Sequence, residues 1–175
     1  MYPRTTGPSG FTIIELLIVL SIGAILAVIA VPAMQGMLNS TRQSSALGLL
    51  VSDLNQGRGE AIKRNARMLV CGRNAAGSDC AAVTDWRVGW VVCGEHATTV
   101  NTCAASTTAN PNPMLVRPPL DTQLTLTSTD AVLRFNADSS QGAGGGIVTL
   151  TLAGTWSGAP TRTVLVAPTG SITKQ

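Results

Sequence analysis

From Gly10 to Met34 the chain reads GFTIIELLIVLSIGAILAVIAVPAM, an apolar run in which Glu15 is the one ionisable side chain. About 24 helical residues at roughly 1.5 Å each reach ~36 Å, enough to cross a hydrocarbon layer of ~30 Å. An ordinary secretory signal has a shorter apolar region followed by a small-residue cleavage site. The stretch Ala30-Val31-Pro32-Ala33 imitates such a site, so signal cleavage is a competing reading. A charge in mid-bilayer costs at least ~2.5 kcal/mol, so Glu15 needs either a cationic partner or a position near the interface where it can snorkel.

The ten residues before this run, MYPRTTGPSG, are polar, contain Gly and Pro, and carry one positive charge at Arg4. They cannot join a packed core and read as a leader. Cleavage between Gly10 and Phe11 would place an ammonium on Phe11, at the positive end of a helix and close to Glu15.

After the run the pattern changes. Over residues 35–67 Leu38, Ala46, Leu50, Leu54 and Ile62 recur at multiples of about four between Ser, Asn, Gln and charged residues, the mark of an amphipathic helix. Pro32 lacks a backbone N–H and is expected to break or kink the helix, with Gly23 and Gly36 adding freedom. Asn65 to Arg67 should end it, giving one interrupted helix of about 55 residues. Its first half, residues 11–34, suits lipid, and its second half suits the surface of a soluble core.

Beyond Arg67 the segments RMLVCG, WRVGWVVC, PMLVRP, QLTLTS, AVLRFNA, IVTLTLAG, RTVLVAP and GSITK are short and rich in Val, Leu and Thr. Gly, Pro, Asn, Asp and Ser separate them, so residues 68–175 read as an antiparallel sheet or sandwich. The fold class is therefore α+β. SSQGAGGG is expected to be a hairpin connection, and residues 99–113 a long polar loop.

The chain has 175 residues, room for one domain with an appendage, and is 45% hydrophobic but only 12% charged. That profile suits a small β-rich domain outside the cytoplasm. Its net charge of +3, about +2 without Arg4, is too mild to predict nucleic-acid binding by itself. Cys71, Cys80, Cys93 and Cys103 all follow the apolar run, and an even number in an exported domain favours two disulfides. Three pairings are possible. The close spacings favour Cys71 with Cys80 and Cys93 with Cys103, each loop worth roughly 2–3 kcal/mol, and the alternative joins Cys71 to Cys93 across strands.

Enzyme chemistry finds little support. The single His96 has no triad companions in the sequence and reads as a solvated loop residue. Cys93-Gly94-Glu95-His96 with Cys103 superficially suggests zinc ligands, but thiols outside the cytoplasm are oxidised, so no metal is expected. The glycine cluster at 142–146 lacks the Lys-Ser/Thr of a phosphate loop and reads as a turn, so no cofactor is expected. Trp86, Trp90 and Phe135 read as core aromatics.

Gly10-Phe11-Thr12-Ile13-Ile14-Glu15 with the apolar run behind it resembles the class III signal of type IV pilins and type II secretion pseudopilins. The resemblance implies cleavage after Gly10 by a prepilin peptidase, N-methylation of Phe11, and a helix that anchors the chain in the inner membrane and later forms filament core. It also implies that Glu15 pairs with the terminal amine of a neighbouring subunit during assembly, and that Pro32 is the family's helix-breaking proline. The soluble segments RGEAIKRNARMLVCG, DWRVGWVVC, LRFNADSSQGAGGGIVTLTL and RTVLVAPTGSI resemble the minor pilin group containing FimU, FimT and GspH, nearest to its FimU branch. This implies a structural subunit of a pilus-tip priming complex. Its partners would be other minor pilins, the major pilin and the inner-membrane assembly platform, with the β-domain periplasmic before assembly and extracellular afterwards. A GspH-like pseudopilin of type II secretion is the first alternative.

The FimT branch implies a second alternative, DNA uptake. Lys63, Arg64, Arg67 and Arg73 form a local basic cluster able to meet phosphates, with Arg162 and Lys174 as further candidates. Such a cluster also suits a solvated helix end. DNA-binding members share a C-terminal Gly-Arg-x-Arg motif, whereas this chain has Gly170-Ser171-Ile172-Thr173-Lys174, with both arginines missing.

Overall fold

The computed structural model describes residues 10–108, 110–142 and 146–175. The leader at residues 1–9 and the centre of the glycine run, 143–145, lie outside the described residues. The chain divides into two units, Met1–Leu38 and Asn39–Gln175.

A single helix, α1 (Ile13–Arg64), runs through both units. Of the break or kink expected at Pro32, the break is corrected: the helix is one continuous element. Proline removes one N–H from the ladder, and helical backbone on both sides carries the helix past it. The helix stops at the place the sequence indicates. Asn65 adopts a left-handed φ of 49°, its N–H bonds the Ile62 carbonyl and the Ala66 N–H bonds the Ala61 carbonyl. This is a Schellman motif with asparagine where glycine is commoner.

Among the described residues the second unit adds eight strands, one for each strand-like segment of the sequence. They are β1 (Met68–Gly72), β2 (Trp90–Gly94), β3 (Leu115–Val116), β4 (Leu124–Ser128), β5 (Val132–Phe135), β6 (Val148–Gly154), β7 (Arg162–Val166) and β8 (Ile172–Lys174). They form two four-stranded sheets, ordered β3-β2-β1-β5 and β4-β6-β7-β8, and every pairing is antiparallel.

Strand periodicity explains the layering. In the second sheet Val148, Leu150 and Leu152 of β6 and Val164 and Val166 of β7 are buried, while Thr149, Thr151 and Leu165 between them are half-buried. In the first sheet Met68 and Val70 of β1 face a core shared with Ala46, Leu47, Leu50, Leu54 and Ala61 of α1 and with the second sheet. Leu69 and Cys71 face the other way, into a smaller cluster with Val91, Cys93 and Val132. β1 is thus buried on both faces.

The buried stripe of α1 differs in phase from the one the apolar residues suggest. Leu38 and Ile62 are each 53% exposed, whereas the polar Gln43 and Asp53 are buried. Gly57 also belongs to the stripe, since a Cβ there would meet Val70 Cγ2 at 3.0 Å and Val92 Cγ1 at 3.4 Å. The helix lies this close to the first sheet because residue 57 has no side chain.

Candidate functional site

In the first unit the helix N-terminus is built by Thr12 and Glu15. The Thr12 N–H and hydroxyl both donate to Glu15 Oε2 at 3.0 Å, and the Glu15 N–H donates to Thr12 Oγ1 at 3.3 Å. This is a reciprocal capping box, in which two otherwise unpaired backbone donors of the first turn are satisfied. Glu15 is exposed, as is every large apolar residue from Phe11 to Ile29, with values between 51% at Ile18 and 82% at Phe11. The apolar half of α1 therefore presents a bare hydrophobic surface that water cannot solvate cheaply.

In the second unit the charged residues close on one another. Asp53, 1% exposed, accepts from Arg117 Nε and Nη2 at 2.8 Å each and from Trp90 Nε1 at 2.9 Å. A fully covered Glu95 side chain accepts from Arg134 Nη2 at 2.6 Å and Nε at 3.1 Å, and from the Asn101 N–H at 2.9 Å. Arg67 approaches its other oxygen at 2.9 Å as a charge contact without hydrogen-bond alignment. Burial opposes ionisation of Glu95, but the Arg134 and Asn101 hydrogen bonds and the charges of Arg134 and Arg67 outweigh it, so its pKa lies below the usual glutamate value. Gln43 is fully buried and donates to the Leu152 and Pro160 carbonyls at 3.2 and 2.7 Å, holding α1 to the second sheet.

These pairs decide the fate of the basic cluster. Lys63 and Arg64 contact Glu60 at 3.4 and 2.7 Å, Arg67 contacts Glu95, and Arg73 donates to the Val88 carbonyl at 2.7 Å. Arg162 pairs across the sheet with Leu152, whose carbonyl Gln43 holds, and Lys174 pairs with Val164. Gln43 and Lys63 are 20 positions apart on one helix, about 30 Å. The candidate phosphate contacts therefore fall at two ends of the domain and do not make one surface.

The disulfides are Cys71–Cys80 and Cys93–Cys103, the pairing that closes the shorter loops. Metal ions bind thiolates, and all four sulfurs are engaged in these bonds. His96 Nδ1 accepts from the Thr98 and Thr99 N–H groups at 3.3 and 3.1 Å and serves a turn. Trp86, Trp90 and Phe135 are core residues, at most 2% exposed. Sequence reasoning missed Asp53 as an anchor. Its signal was an acid at the spacing of Leu50 and Leu54, on the face that had to be buried.

The family described as Type II transport protein GspH matches residues 46–170. The Prokaryotic N-terminal methylation motif matches residues 7–31. Two crystal structures of the type IV minor pilin FimU from Pseudomonas aeruginosa (strain PAO1) are similar in fold. One, in space group P65, has 17% identity and a TM-score of 0.55 over 75% of this chain and 91% of that chain. The other, in space group P21, has 15% identity and a TM-score of 0.56 over 82% and 92%. Among curated protein sequences none is significantly similar.

Proposed function

The chain belongs to the GspH family of type II transport proteins, and on that premise we propose that it acts as a structural minor pilin that helps prime filament assembly. The family and the N-terminal methylation motif make it a membrane-anchored, pilin-type subunit that assembles with other pilins. The observation that carries the proposal is an exposed apolar helix headed by Glu15 and followed by a disulfide-braced β-domain. Such a helix has two environments that cover it, lipid before assembly and packed neighbouring helices afterwards.

On this reading the leader is removed after Gly10 and Phe11 is N-methylated, with the β-domain on the periplasmic side until assembly. Lateral helix packing supplies the close contacts, and Glu15 sets axial register by meeting the amine of a neighbouring Phe11. The β-domain selects partners among minor pilins and the major pilin. Lys63, Arg64, Arg67, Arg117 and Arg134 are engaged in internal ion pairs, which supports a scaffold and binding role over nucleic-acid capture.

The GspH match favours one second reading, a pseudopilin of a type II secretion system. Deleting the gene and measuring surface pili and secreted protein in parallel separates the two. Loss of pili with normal secretion supports the pilus reading; loss of secretion with normal pili transfers the role to the pseudopilus. Retention of both at parental levels would remove support from each.

A further inference from the structure

Both disulfides stand on the outer face of the first sheet. Cys71 lies opposite Val91 and Cys93 opposite Leu69 in the β1–β2 ladder, while Cys80 and Cys103 come from separate loops. Asp79 binds these loops together, its Oδ1 accepting the N–H groups of both Cys80 and Cys103 at 2.7 Å. As a result the Sγ atoms of Cys80, Cys93 and Cys103, drawn from two different disulfides, lie within 4.8 Å of one another. Cys71 and Cys93 are fully buried, and Cys80 and Cys103 are half-buried. A cavity of about 500 Å³ opens over Cys80, bordered by Val100, Asn101, Asp130 and Val132.

We propose that the four cysteines form one thiol–disulfide exchange unit, with Cys80 as the sulfur that an exported dithiol attacks first. The dithiol's thiolate forms a bond to Cys80 Sγ, the Cys71–Cys80 bond breaks, and Cys71 leaves as a thiolate that takes up a proton. The dithiol's second sulfur then closes on the first, leaving as a disulfide and releasing Cys80 as a thiolate. In that step the dithiol is oxidised and one protein disulfide has been reduced. The Cys80 thiolate then attacks the neighbouring bond, forming Cys80–Cys103 and releasing Cys93, or forming Cys80–Cys93 and releasing Cys103. This last exchange has no net redox change. A reducing attack on one cross-link is thereby passed to the other, and a wrongly paired chain can return to the native pairing by the same route.

The geometry makes the exchange selective. The sulfur group contains Cys80, Cys93 and Cys103 but not Cys71, so non-native bonds should involve Cys80 and leave two thiols, Cys71 and either Cys93 or Cys103. The test is to treat the full chain, folded in detergent, with less than one equivalent of a trialkylphosphine, quench with acid and alkylating agent, and map linked peptides by mass spectrometry. Cys80–Cys93 and Cys80–Cys103 peptides should exceed Cys71–Cys93 and Cys71–Cys103 peptides by at least about fivefold, a difference that proximity alone produces. Native pairs alone would overturn the proposal, as would all non-native pairs in equal amounts, the pattern of an unfolded chain. In Cys71→Ser the free thiol should spread over Cys80, Cys93 and Cys103, and a thiol confined to Cys80 would contradict the exchange. Should that variant not fold, the mapping of the unaltered chain decides.

Discussion

Arg117 grips Asp53 with two parallel hydrogen bonds of 2.8 Å, joining the buried face of α1 to the segment that follows β3. The geometry is bidentate and the acid is almost wholly buried, with Trp90 supplying a third donor. Removing one partner strands the others. Asp53→Ala should destabilise the β-domain by about 3 kcal/mol, lowering its melting temperature by roughly 10 °C. Adding Arg117→Met should recover part of the loss, because a buried pair is costlier to break than to replace. Thermal melts of the two single variants and the double variant measure this, and full additivity would mean the pair is not coupled.

Glu95 sets a pH dependence of definite sign. Its folded-state pKa is held below the ordinary glutamate value, so the unfolded chain binds its proton at higher pH than the folded chain does. The resulting stability is fully present above the ordinary glutamate range and is lost as pH falls through the folded value. Urea unfolding between about pH 7 and pH 3 should therefore show a fall on the acid side that is shallower in Glu95→Gln. That variant should also be less stable at neutral pH, since Arg134 and Arg67 lose their countercharge. Parallel curves for the two proteins would show that Glu95 does not carry the dependence.

The capping box lets the two roles of Glu15 be separated. Glutamine keeps the oxygen that the Thr12 N–H needs but not the charge that a neighbouring amine needs. If charge pairing governs assembly, Glu15→Gln should enter sheared filaments as poorly as Glu15→Ala, with processing intact in both. Recovery of the Gln variant at the parental level would assign Glu15 to capping its own helix.

Ion pairing of Lys63, Arg64 and Arg67 bears on nucleic acid. A protein that displaces few counterions binds weakly and with little salt dependence. Gel-shift titration of the chain in detergent should show no retarded duplex at low salt. A shift that weakens steeply as salt rises would restore the DNA reading.

Much of this arrangement was legible in the sequence because local chemistry decides it. Eight runs of Val, Leu and Thr between turn residues became eight strands, and Asn65 ended the helix by accepting a left-handed conformation. The buried stripe of α1 was less legible. Apolar spacing favoured Leu38 and Ile62, while Gln43, Asp53 and Gly57 occupy the packed face. Polar residues are buried there because their partners come from distant segments: Pro160 for Gln43, Arg117 for Asp53. The same limit applies to Glu95, whose partners Arg67 and Arg134 lie far along the chain. At Pro32 the loss of one N–H, which the sequence suggested would interrupt the helix, leaves it continuous.

The central claim is that this chain is processed at its Gly10–Phe11 bond and enters a filament through the helix so exposed. The most direct measurement is the mass of the N-terminal peptide from chain recovered in sheared surface filaments. The account predicts a peptide beginning at N-methylated Phe11. A peptide that retains the leader, or one that begins after Ala33 as ordinary signal cleavage would leave it, would contradict the account.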